Sequence, residues 1–383
     1  MSDSGAPDRE RFWDPEHPVL TILRRRRETG SKPGARDDSA KVALAIEGGG
    51  MRGVISAAMC TQLDDAGFSD AFDVVYGGSA GAVNATFFVA QQCWYPLSIY
   101  FDDLATADFV KYSRVLSGGS IMNLDYMFDD VFKSAKVLDY QAAIESPVSL
   151  VITVTDVDAK DTVAFRDFGA TDELESILRA SVHLPSAVRG VAEYRGRRLL
   201  DGAVLAPLPF RLAIDDGCTH VLSLSTFRIR KSQKSQKFQK LRKRQPAWQY
   251  PFSFYLERIR RGLGTAYLNA QRQRLSDRDW LMRQSCIPSA QGPHVLDLAP
   301  LPWMEEINFH HRDPHVVFER CRAAYAISHC AIEGISADHL REGLVRAVPK
   351  MTMVGPGDTS LFSKRDRLSH SVQGALDNLS ATW

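Results

Sequence analysis

The sequence predicts an α/β layered domain, and three observations carry that expectation. Two short apolar runs, 42–46 (Val-Ala-Leu-Ala-Ile) and 72–76 (Phe-Asp-Val-Val-Tyr), each end in glycines. Each is followed by a stretch of helical character, 51–65 after the first and 80–91 after the second. A continuous apolar run reads as a parallel strand buried on both faces, whereas a half-solvated strand would alternate. Strand, turn and helix twice in succession is therefore the pattern of a layered α/β architecture.

The chain ahead of the first strand reads differently. Residues 1–40 are polar, carry Arg24, Arg25, Arg26 and Arg27, and show little periodicity. They are expected to form a flexible basic lead-in with a short helix around 20–23, its arginine run a solvated charge block. Attraction to anionic lipid is the sharper alternative. No apolar stretch of a signal sequence occurs in 1–36.

Beyond the second helix, strands are expected at 148–155, 162–166, 198–200, 220–225 and 294–298, with helices at 173–182 and 313–334. Residues 231–244 are low in complexity, rich in Lys, Arg, Ser and Gln and free of acid, and read as a loop or exposed helix. The expected organisation is a catalytic core over 41–226, a basic and aromatic insertion over 227–261, a part completing the α/β fold over 262–354, and a polar tail over 355–383.

Composition narrows the class of function. The 383 residues are 44% hydrophobic and 24% charged, the balance of a soluble globular protein. A formal net charge of +1 supplies no whole-protein pull toward nucleic acid, and none is expected as a partner. The six cysteines, Cys60, Cys93, Cys218, Cys286, Cys321 and Cys330, are scattered without Cys-x-x-Cys spacing, which suits reduced thiols in a cytoplasmic protein. No run approaches the length of a membrane span.

The chemistry concentrates at the two glycine-rich turns. Gly77-Gly78-Ser79-Ala80-Gly81 places a serine between a strand and a helix, inside Gly-x-Ser-x-Gly. Flanking glycines permit a tight, strained turn that presents the hydroxyl, and the following helix directs its N-terminal N–H groups toward developing charge. An ordinary glycine-rich turn is the bland alternative. The first turn, Gly48-Gly49-Gly50-Met51-Arg52-Gly53, also satisfies Gly-x-Gly-x-x-Gly, a dinucleotide fingerprint. That reading needs an acidic residue closing the second strand, where the Ser79 turn stands instead. Consecutive glycines at a helix start equally make a nest of N–H donors suited to an oxyanion. Arg52 could hold this loop or face an anionic head group.

A serine nucleophile needs a proton acceptor. None of the ten histidines occupies a convincing strand-end loop; His183 precedes Leu184-Pro185, and His310 and His311 lie in a polar segment where solvated or capping roles are expected. Asp201, in Asp201-Gly202-Ala203 after a short strand, could accept the proton directly. Taken alone, Asp-Gly reads as a turn. A Ser-His-Asp triad stays open on the residues themselves, as does a non-enzymatic nucleotide- or nucleic-acid-binding protein.

In this order and spacing, Gly-Gly-Gly-x-Arg-Gly, Gly-x-Ser-x-Gly and a distant Asp-Gly-Ala resemble the patatin-like phospholipase family. The stretch from Ala180-Ser181 through Pro185 to Asp201, followed by Pro207 and Pro209, is similar to that family's approach to its aspartate. Bacterial members resemble the chain further at 119–125, Gly-Ser-Ile-Met-Asn-Leu-Asp. The resemblance covers about 41–226. It implies a three-layer α/β/α fold and hydrolysis of acyl esters of phospholipids or other lipids through an acyl-enzyme, with no metal or organic cofactor. By match, Ser79 is the nucleophile, Asp201 the proton acceptor, and Gly48, Gly49, Gly50, Arg52 and Gly53 the oxyanion loop. Glu47 stands where many members have Asp, and Ala203 where many have Gly.

One feature bears on partners. Basic residues from Arg228 to Arg244 are soon followed by Trp248, Tyr250, Phe252, Phe254 and Tyr255. This pairing suits peripheral contact of 228–255 with a membrane surface, would suit RNA equally, and is commonly no more than a solvated loop.

Overall fold

The computed structural model describes residues 11–229 and 249–345. Its centre is a mixed sheet of eight strands, β1 (Val42–Ile46), β2 (Val74–Gly78), β3 (Ser149–Asp156), β4 (Asp161–Phe165), β5 (Ala192–Tyr194), β6 (Arg197–Asp201), β7 (His220–Leu224) and β8 (His294–Leu298). The spatial order is β5-β6-β3-β2-β1-β7-β8, with β4 paired to β3. The five strands β3-β2-β1-β7-β8 run parallel, while β4, β5 and β6 are antiparallel additions at one side.

Alternation within the buried strands explains the layers. In β1, Val42, Leu44 and Ile46 enter one core, and Ala43 and Ala45 enter the other. The first core is covered by α1 (Pro18–Thr29), α2 (Gly53–Asp65), α3 (Ala80–Val89), α4 (Trp94–Asp102) and the helix Pro314–Ile332. The second is covered by Phe210–Asp215 and the long helix Leu263–Cys286. The fold is thus a three-layer α/β/α sandwich, and the central strands β1 and β2 are buried at every position, as their continuous apolar runs require.

Two strands differ from their expected positions for local reasons. β2 begins at Val74 rather than at 72 and includes Gly77 and Gly78, which pair with Ile46, Ile152 and Thr153. β5 was not anticipated, because a three-residue strand is too short to show a period. The short helix expected around 20–23 runs from Pro18 to Thr29, and the other expected strands and helices lie within a few residues of their predicted bounds. The basic low-complexity run 231–244 and the polar tail 355–383 lie outside the described residues.

The lead-in is the main correction. Over 11–40 it is folded, and α1 packs Val19, Leu20 and Leu23 against the sheet. Arg26 follows them on the same face and is completely enclosed. Its guanidinium clasps both oxygens of Asp38 at 2.9 and 2.7 Å, bonds Asp73 at 2.9 Å, and donates to the carbonyls of Ala40 and Ala71. Burying an arginine is tolerable only when its planar fork is satisfied in this way. Arg24 donates to the Ile332 and Pro15 carbonyls, and Arg27 lies over the Phe68 ring. The arginine run is therefore not a solvated charge block: it fastens α1 to the fold.

Candidate active site

The two glycine turns emerge side by side because β1 and β2 are parallel neighbours, Ile46 opposite Gly77. Ser79 joins β2 to α3 at φ 57° and ψ −136°, a conformation sparsely available to a residue with a side chain. Two contacts hold it there. A Cβ at Gly81 would collide with the Ile46 carbonyl, so glycine lets α3 start directly against β1. A Cβ at Gly48 would stand 2.5 Å from the Gly78 carbonyl oxygen and 2.8 Å from Ser79 Cβ, so the first glycine turn rests on the second.

Asp201 arrives from the opposite direction. It ends antiparallel β6, opposite Val154, and its N–H donates to the His183 carbonyl at 3.1 Å. Oδ1 accepts the Ala203 N–H at 2.8 Å, while Oδ2 accepts the Ser79 hydroxyl at 2.7 Å. The Asp-Gly turn and the serine partner are therefore two uses of one carboxylate. A Cβ at Gly202 would overlap the Thr153 carbonyl, which explains why glycine follows Asp201. Burial pushes the Asp201 carboxyl up to about 7, against the downward pull of the Ser79 and Ala203 hydrogen bonds.

The first glycine turn offers fewer free donors than the expected oxyanion loop would. Among the described residues the N–H groups of Gly48, Gly49 and Gly50 have no acceptor. The Arg52 N–H donates to Gly49 O at 3.2 Å, and the Gly53 N–H to Gly50 and Met51. Those two groups are consumed inside the turn and are removed from the set of free donors. The Arg52 side chain lies over Phe227, its guanidinium carbon 3.9 Å from the ring centroid. The alternative in which it holds the loop fits better than one in which it faces a head group.

Several contributors carry no local sequence signal. The Ser181 hydroxyl accepts the Ser79 N–H at 3.0 Å and donates to the Thr153 carbonyl at 2.8 Å, tying helix α6 (Thr171–Ser181) to the strained turn, where α5 (Tyr140–Glu145) precedes β3. Glu47 is buried beneath the first turn, bonded to Arg274 and Arg278 of the long helix and to the Thr226 N–H. Burial alone would raise its pKa, but the two guanidiniums and the N–H outweigh burial and hold it below the usual range. Thr226 Oγ1 then donates to Gly48 O at 2.8 Å, fixing the loop itself. Ser181 had a sequence cue in its place on the approach to Asp201, and Glu47 one in its place ahead of the first glycine turn, whereas Thr226, Arg274 and Arg278 had none.

The expected minor roles of the histidines also change. The His183 ring bonds the Arg189 carbonyl, and His310 sits edge-on between Phe309 and Tyr112. Among the described residues no histidine side chain contacts Ser79 or Asp201. No group of three or more His, Cys, Asp or Glu among those residues is arranged to hold a metal ion.

Ser79 and Asp201 open onto an apolar pocket that is continuous with solvent. Its walls come from α3 and α4 (Val83, Ile99) and from the segment between Phe109 and Phe132. A hydroxyl hydrogen-bonded to a buried carboxylate, free N–H groups beside it and an apolar channel above together suit acyl transfer from a hydrophobic ester.

Residues 44–214 match the family model described as patatin-like phospholipase. The uncharacterized protein YjjU of Escherichia coli (strain K12) is 26% identical over 189 residues, 49% of this chain and 52% of that protein. The chain thus spans about half the length of that relative. The structure of VipD from Legionella pneumophila aligns with a TM-score of 0.37 and 11% identity, covering 78% of this chain and 67% of that one. Among the described residues no helix is long and apolar enough to cross a membrane.

Proposed function

We propose that this chain, whose residues 44–214 match the patatin-like phospholipase family model, hydrolyses acyl esters of lipids with a Ser79–Asp201 dyad. The observation that carries the reading is the 2.7 Å Ser79–Asp201 hydrogen bond at the base of an apolar pocket. The acyl chain occupies the pocket, and Ser79 Oγ attacks the ester carbonyl as its proton passes to Asp201 Oδ2. The oxyanion accepts from the free N–H groups of Gly48, Gly49 and Gly50, with the first N–H groups of α3 nearby. Collapse expels the alcohol, which takes the proton from Asp201. Water then attacks the acyl-enzyme, giving a proton to Asp201, which returns it to the departing Ser79 oxygen. The fatty acid leaves.

Two rivals are weakened by specific contacts. A histidine triad lacks a histidine at Ser79. Nucleotide binding at the first glycine turn is opposed by Phe309, whose carbonyl accepts the Met51 N–H at 2.9 Å and lies 2.5 Å from where a Gly50 Cβ would be. Labelling by a fluorophosphonate probe, with mass-resolved hydrolysis of a lipid panel, tests the proposal. Labelled wild type releasing fatty acid, against inert Ser79→Ala, supports it; folded but unlabelled wild type overturns it.

Contact of 228–255 with a membrane surface is a second, separate part of the reading. Its support within the described residues is that Tyr250, Phe254 and Tyr255 of helix Gln249–Ile259 are exposed, while Phe252 packs onto Tyr267. Liposome co-sedimentation unchanged by neutralising the basic residues of 231–244 would remove it.

A further inference from the structure

We propose that the turn Tyr112–Ser117 is an interfacial docking element that seats the pocket mouth on an anionic lipid surface; the inference rests on the lipid-hydrolase reading of the adjacent site. The turn grows out of the pocket wall. Phe109 and Met122 line the pocket, and the segments flanking the turn are stitched together directly beside them. Val110 bridges Met122, the Lys111 N–H donates to Ile121 O, and the Asn123 N–H donates to Phe109 O, the last two at 2.9 Å.

At the tip the chain turns apolar groups outward. Leu116 is 92% exposed, Val115 54% and Tyr112 47%. Single exposed apolar side chains are ordinary on a protein surface, but three within one turn at the rim of an apolar pocket form a continuous feature. The tip is held in this posture rather than left loose. Arg114 donates to the carbonyls of Phe109, Ile121 and Asp108, its own carbonyl accepts the Gly119 N–H, and the Arg189 N–H bonds Ser120 Oγ. Tyr112 lies edge-on to His310, next to the Phe309 that caps the first glycine turn. A fixed apolar protrusion loses little conformational freedom on insertion, which favours binding.

Charge and continuity select the occupant. From 107 to 121 Asp108 is the sole acid, against Lys111 and Arg114, and Arg189 stands alongside. Apolar side chains flanked by Lys111, Arg114 and Arg189 complement an interface whose surface is anionic and whose interior is hydrocarbon. An acyl chain bound for the pocket must leave that hydrocarbon, so seating the rim in it shortens the path through water.

The test uses the full chain with vesicles of phosphatidylcholine, alone or with added phosphatidylglycerol, and compares wild type with Val115→Ser/Leu116→Ser. Wild type should sediment preferentially with the anionic vesicles, and the variant should partition roughly tenfold less well, as expected for withdrawing two apolar side chains from an interface. Hydrolysis of a soluble short-chain ester should be unchanged in the variant, and hydrolysis of vesicle lipid should fall in step with binding. Equal vesicle binding by the two proteins overturns the proposal, as does wild type that ignores anionic vesicles. Loss of soluble-ester hydrolysis in the variant would assign the turn to the pocket instead, which also overturns it. Wild type that binds vesicles through the turn but hydrolyses neither ester would sink the enzymatic reading while leaving the docking surface standing.

Discussion

The Ser79 hydroxyl donates a 2.7 Å hydrogen bond to Asp201 Oδ2, a carboxylate only 1% exposed to solvent. Strand β2 delivers the serine and strand β6 the aspartate, from opposite directions and 122 positions apart. That relationship makes the site's behaviour with pH, and the stability it costs, calculable in sign.

Asp201 serves as base only when deprotonated, and burial pushes it up to about 7. The value of kcat/KM should rise about tenfold per pH unit on the acid side and level off above about pH 7. A profile measured on a soluble ester checks this; a flat profile between about pH 5 and 8 would argue against Asp201 as base.

The same shift sets a stability prediction. Native Asp201 titrates higher than an unfolded aspartate, so between the two values the native state binds more protons and stability falls as pH rises. Above about pH 7 the cost is complete, on the order of 2–4 kcal/mol. Asp201→Asn should therefore abolish turnover yet unfold at higher denaturant than wild type at about pH 8, with the gap closing toward pH 4. Urea unfolding at both values decides it.

Gly48→Ala puts a methyl against the Gly78 carbonyl and Ser79 Cβ, both backbone or near-backbone and unable to give way. Destabilisation of about 1–3 kcal/mol is expected from such overpacking, with loss of most esterase activity. Gly30→Ala is the control, since its Cβ would meet nothing within 4 Å and the left-handed φ of 64° alone would be penalised.

Ser181→Ala leaves the buried Ser79 N–H without an acceptor and the Thr153 carbonyl without that donor. An unsatisfied buried polar group costs about 1–3 kcal/mol. Ser181 is a positioning residue, so kcat should fall while KM for a soluble ester stays within about twofold. Ser181→Thr, which keeps the hydroxyl, should restore part of the loss.

Arg26→Ala strands Asp38 in a largely closed site, leaves Asp73 with Arg36 as its remaining cation, and loses the packing of its stem. Removing one partner of a buried ion pair costs about 3–5 kcal/mol. Thermal unfolding should shift down strongly, whereas Arg25→Ala, whose side chain is 53% exposed in its pair with Asp37, should change little.

How much of this was legible before the structure follows from the range of the interactions. Both glycine turns could be read because their requirement is local: a strand that stops and a helix that starts at once need residues without a Cβ where backbone meets backbone. Asp201 could be proposed only through its company, since an Asp-Gly pair looks the same in any turn. The strands of the parallel core were visible as apolar runs, but β5 was too short to carry a pattern.

The sequence by itself determined the layered α/β class, the strained serine turn and the candidate dyad, because each rests on residues adjacent in the chain or in a fixed order along it. Tertiary structure alone decided which donors stay free in the glycine loop, that Ser181 and Thr226 brace it, and that Glu47 answers two arginines 227 and 231 positions away. It also decided the fate of the arginine run. Whether a guanidinium is solvated or buried depends on acceptors closing around it, and those of Arg26 come from 12 to 47 positions downstream. Desolvating a charge is favourable only when all its partners arrive together, and no local pattern records that they do.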